Sequence, residues 1–167
     1  MKRISVLLLA LCLFAAPALA EAVNWADCEA VLEESGITGD FYAIEEAGVV
    51  LWVPDDMASL EVSDMDRELS FVAEFADPGS GASMNVQYAQ LSFAEYVASV
   101  KEMYADAVAE MTVNGINAIS VPLEDMDSFF FIYEMPDNYV LILICAPVAE
   151  DGAADLWNLI SASVQIA

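Results

Sequence analysis

Three acidic clusters carry the residues best suited to chemistry in this 167-residue chain. They are "PDDM" with Asp55 and Asp56, "SDMDRE" with Asp64 and Asp66, and "EDMD" with Asp125 and Asp127. Clustered carboxylates are what a hard cation such as calcium selects, because it binds through several oxygens. None of the three follows the D-x-D-x-D-G-x5-E loop, and none has the glycine that gives that loop its sharp turn. Aspartate in such stretches also caps helices and forms turns through its own side-chain hydrogen bonds. Calcium is therefore the one cofactor these residues leave open, with the six aspartates as its weak candidate ligands. Met57, Met65 and Met126 stand beside the acids, but no M-x-x-M spacing supports a copper(I) site.

The sequence contains no histidine. This removes the commonest general base, the usual Ser and Cys triads, and imidazole-based zinc or copper sites. A Ser–Lys pair would have to use Lys101, which the periodicity places on the polar face of a helix. Two convergent carboxylates can hydrolyse a glycoside, provided one is held protonated in a cleft. With 28 acids in the chain, close pairs arise by chance, so no catalytic residue is assigned.

Segments outside these clusters bound the location. In "MKRISVLLLALCLFAAPALA", Lys2 and Arg3 precede an apolar run from Ile4 to Ala16, and Ala18-Leu19-Ala20 forms an A-x-A site. The apolar run is short beside the roughly 20 residues of a membrane span. Residues 1–20 are therefore expected to be a signal peptide cleaved at about Ala20. A lipoprotein signal at Cys12 is disfavoured by the bulky Leu11 before it. The expected product is extracytoplasmic, with no transmembrane segment.

All 28 acids lie beyond residue 20, whereas only Arg67 and Lys101 of the four cations do. Such a surface repels nucleic acid and anionic membrane and favours a soluble monomer. At 59% hydrophobic residues the chain nevertheless has ample material for a core. Cys28 and Cys145 have one intramolecular pairing open to them. Each also sits in an apolar stretch where a free thiol serves as a small hydrophobe, and spacing does not choose between the two.

The elements that must position these residues follow from periodicity. Trp25, Cys28, Val31 and Leu32 share a helical face in a short leading helix, so residues 21–40 read as that helix and a linker. Phe41–Glu46 and Val49–Val53 read as a hairpin stopped by Pro54. "ELSFVAEFA" and "SMNVQYAQL" flank "DPGSG" as a second hairpin. Ser92–Glu110 reads as a helix opened by an S-x-x-E capping box, with Phe93, Tyr96, Val97, Val100, Tyr104 and Val108 on its apolar face. Three strands follow, ending in "YVLILICA", which is apolar on both faces and so is expected to be central and covered on each side. A closing helix is expected near Asp151–Val164. Trp52 alternates with Leu51 and Val53 and is expected on the opposite face, exposed beside Asp55 and Asp56 as a partner-contact spot.

The expected fold is α+β: a mainly antiparallel central sheet of about six to seven strands with helices on both faces. The stretch "GVVLWVPDDM", with Gly48, Val49, Leu51, Val53 and Pro54, together with this element order, resembles the PsbP-like or Mog-type α-β-α sandwich over residues 41–167. Met57 departs from the pattern, standing where an aromatic is usual. The resemblance implies an exported, non-catalytic accessory or binding scaffold of the bacterial cell envelope, its partner or ligand unspecified, with no family-wide catalytic residue. A calcium-binding module is the alternative reading and a carboxylate-dependent hydrolase the third.

Overall fold

A computed structural model describes residues 21–149 and 152–167. The expected signal peptide, residues 1–20, lies outside the described residues, as does Asp151 at the expected start of the closing helix. In chain order the elements are β1 (Glu21–Val23), α1 (Trp25–Ser35), β2 (Gly39–Ile44), β3 (Val49–Pro54), β4 (Ala58–Leu60), α2 (Asp64–Glu68), β5 (Phe71–Ala76) and β6 (Ser83–Ala89). Then come α3 (Phe93–Tyr104), β7 (Ala109–Val113), β8 (Ile116–Leu123), β9 (Ser128–Met135), β10 (Tyr139–Ala146), α4 (Ala153–Ala162) and β11 (Gln165–Ile166).

Eight strands form one sheet in the order β1-β7-β8-β9-β10-β6-β5-β4, and three form a second in the order β11-β3-β2. Every neighbouring pair is antiparallel except β1 with β7. The α+β class is as the sequence predicts, with a larger main sheet and an additional small one.

Strand β10 shows why the apolar run "YVLILICA" needs cover on both sides. Leu141, Leu143 and Cys145 join one core with β6, α4 and the small sheet. Val140 and Ile142 join a second core under α3, with Ile144 packed against its margin. Side chains alternate across a strand, so a strand with two apolar faces must separate two cores. The helix α3 supplies Val100, with Phe93, Tyr96 and Val97 half-buried beside it. Ser92 caps it, accepting from the Glu95 N–H at 3.5 Å.

Several boundaries differ from the periodicity. The helix expected through Glu110 stops at Tyr104, and Ala109–Val113 instead forms β7. Ala105 takes a φ of 38° after the last helical turn. Asn114 and Gly115, both at positive φ, then fold β7 back on β8 in a two-residue hairpin turn. The polar segment before β5 holds a short helix, α2, whose cap Ser63 accepts from the Asp66 N–H. Residues 21–40 hold the expected leading helix, α1; the short β1 before it pairs with β7, and Trp25, Cys28 and Leu32 enter the main core.

The "DPGSG" loop closes the β5–β6 hairpin as expected. The Asp77 carboxylate accepts from the N–H of Gly79 (2.7 Å) and Ser80 (3.1 Å) and from the Ser80 hydroxyl (2.5 Å). These donors hold its pKa below the usual carboxylate value, the Ser80 hydroxyl contributing most.

Candidate functional site

The acidic clusters separate in the fold. Asp55 and Asp56 occupy the exposed turn after β3, closed by the Met57 N–H donating to the Pro54 carbonyl at 3.0 Å. Asp64 and Asp66 lie in the first turn of α2, where the positive end of the helix dipole favours acids. Asp125 sits in the single 3-10 turn after β8. Asp127 accepts from the N–H groups of Val148 and Ala149, both at 2.8 Å, and so fastens the segment leaving β10. Those two bonds, Ala149 first, hold its pKa below the usual value. Among the described residues, no three Asp, Glu or Cys side chains converge in a way that suits a metal ion.

Trp52 requires a correction. The alternation is right, since Trp52 faces away from Leu51, but its face is covered and the residue is only 4% exposed. The helix α1 lies over it: the ring centroids of Trp25 and Trp52 are 6.2 Å apart. Trp25 also meets the edge of Phe41, the cross-strand partner of Trp52, at 5.5 Å. The exposed partner-contact role expected for Trp52 is therefore not available to it. Its local pattern could not reveal that a helix earlier in the chain would cover that face.

Cys28 on α1 and Cys145 on β10 are both buried free thiols. Burial raises the pKa of each, and the Asp27 charge adds to the rise at Cys28. Both therefore stay neutral at physiological pH and behave as apolar packing.

One concave feature of the described surface is a groove of about 300 Å³ where the small sheet meets the end of the large one. Tyr42, Ala43 and Ile44 of β2, followed by Glu45 and Glu46, form one wall. Ser59 and Leu60 of β4, followed by Glu61 and Val62, form the other, with Arg67 of α2 and Val72 and Ala73 of β5 completing it. Tyr42 packs in a T-shaped arrangement with Phe75 at a centroid distance of 5.0 Å. Arg67 reaches Glu46 at 4.0 Å. Lys101, the other cation beyond residue 20, is paired with Glu110. Both cations are thus engaged by carboxylates, and Glu45 and Glu61 leave the groove acidic. Sequence reasoning missed this site because neither wall carries a motif, and local pattern does not show that the edges of β2 and β4, in different sheets, come to face one groove.

No protein-family model matches the sequence, and neither does any curated protein. Among solved structures, the chain is similar to the solution structure of cyanobacterial PsbP (CyanoP) from Synechocystis sp. PCC 6803. The TM-score is 0.55 over 78% of this chain and 94% of that one, at 8% sequence identity. The likeness shows the fold, and that fold is PsbP-like. The PsbP-like resemblance expected from the sequence is therefore found again in three dimensions, at the level of the fold. Among the described residues, no helix is long and apolar enough to cross a membrane.

Proposed function

We propose that the protein is an exported, non-catalytic binding or accessory protein of the bacterial cell envelope, acting outside the cytoplasm after cleavage near Ala20. The observation that carries this reading is the PsbP-like fold shared with CyanoP. A histidine-free sequence and strongly acidic composition support it. Such a protein works by presenting a shaped surface, so its chemistry is that of recognition and not of bond breaking.

Affinity capture from the envelope fraction of the producing cell tests the reading. One reproducible partner or ligand is expected, together with no turnover of generic glycoside, ester or peptide substrates. Turnover that disappears on changing a single Asp or Glu to its amide would overturn it.

A further inference from the structure

The groove is bounded by two strand edges, and this suggests what fits it. Successive side chains of a strand point to opposite faces. A groove lined by consecutive strand residues, Tyr42-Ala43-Ile44 of β2 on one side and Ser59-Leu60 of β4 on the other, therefore meets both walls edge-on. Among the described residues both strands are outermost in their sheets: β2 pairs only with β3, and β4 only with β5. Among the described residues, no backbone group of β2 or β4 bonds to anything outside those two ladders.

An open edge is normally blunted by lysine, proline or a bulge. Strand β2, "GDFYAI", has none of these, and its register with β3 is unbroken. Instead Phe41 is 46% exposed, Tyr42 41% and Leu60 of β4 48%. Apolar side chains beside unpaired backbone donors and acceptors are the ingredients of recognition by strand addition. Glu45, Glu46 and Glu61 against the single Arg67 set the sign of the partner.

We propose that this groove binds an extended, basic peptide segment of a partner protein, which adds as a strand to the open edge of β2 and sets its cationic side chains against Glu45 and Glu61. The proposal rests on the reading of the chain as a binding protein and names the chemistry of what it binds.

Calorimetry on the purified protein tests it with a short synthetic peptide of alternating Lys and Val. Binding is expected, weakening as salt is raised. A peptide of alternating Glu and Val should not bind. The Lys-Val peptide carrying N-methyl groups on every backbone amide should also lose binding, because it has no N–H on either edge to give to a ladder. The double variant Glu45→Gln, Glu61→Gln should bind about tenfold more weakly. The control Glu95→Gln, Glu102→Gln, on the exposed side of α3, should leave the affinity essentially unchanged. Absence of binding overturns the proposal. So does equal affinity for the N-methylated peptide, or equal weakening in both double variants, either of which marks a general attraction to an acidic surface. An envelope partner whose capture the Lys-Val peptide does not compete also overturns it, while leaving the broader reading intact.

Discussion

Asn114 donates its side-chain amide to the carbonyl oxygen of Val164 at 2.8 Å, tying a hairpin turn to the last turn of the chain. The same amide donates to Ala162 O at 2.9 Å, and its Oδ1 accepts from the Trp25 N–H at 2.8 Å. One side chain thus joins the start of α1, the β7–β8 turn and the end of α4. Its φ of 48° suits asparagine better than most residues.

Replacing Asn114 with alanine strands three backbone partners and places a strained residue in the turn. The expected loss is about 3 kcal/mol, read as a lower urea midpoint at unchanged slope. Asn114→Gly, which keeps the turn but not the bonds, should recover only the backbone part. Full recovery in the glycine variant would show that the three bonds contribute little.

Gly39 is packed against the tryptophan that the fold buries. A Cβ at this position would lie 2.4 Å from the Val53 carbonyl oxygen and 2.5 Å from the Trp52 ring. Both neighbours are held, the ring by Trp25 and the carbonyl by its strand. Gly39→Ala should therefore cost about 1–3 kcal/mol, with a changed tryptophan emission maximum in the folded state. An alanine variant of wild-type stability would show that β2 can shift away from β3.

The two thiols should be silent in the folded protein. Both pKa values are raised, so the reactive thiolate is scarce below the ordinary thiol pKa, and both side chains are buried. An aromatic disulfide reagent at pH 8 should report reaction only after denaturant is added, and then at two thiols per chain once residues 1–20 are removed. The melting temperature should be the same with and without reductant. A drop on reduction would reveal a bond between Cys28 and Cys145.

Asp127 gives a pH signature. Its folded pKa is depressed by the N–H groups of Ala149 and Val148. Its contribution is therefore complete above the unfolded value of about 3.9 and is lost as pH falls through the folded one. Asp127→Asn keeps a residue tolerated at φ 48° and removes only the charge. The variant should unfold at lower urea near neutral pH, and the gap should close under acid conditions. Asp125→Asn, two residues away, controls for the loss of a negative charge. A gap independent of pH would show that the carboxylate charge is not what fastens Val148 and Ala149.

Much of this fold follows from local pattern. The capping box and turn residues place α3 and the β5–β6 hairpin, and the two-faced apolar run of β10 demands a layer on each side. Gly48 and Pro54 delimit β3, and the alternation of Leu51, Trp52 and Val53 assigns their faces correctly. These are short-range effects: dihedral preference, side-chain hydrogen bonding to nearby backbone, and strand periodicity.

Tertiary structure decided the rest, because each remaining feature is a meeting of distant segments. β1 and β11 are too short to be stable alone and exist only as additions to β7 and β3. The helix expected to run through Glu110 gives way at Ala109–Val113 to a strand, which β8 offers a full ladder. Trp52 is buried because a helix formed earlier in the chain lies over it. The acidic clusters are dispersed to a turn, a helix start and a loop clamp, whereas Glu45, Glu46 and Glu61 are brought to one groove by two sheet edges. Residue type and spacing give a side chain its face and its charge. Only the long-range packing of the sheets decides which faces are covered and which edges stay open.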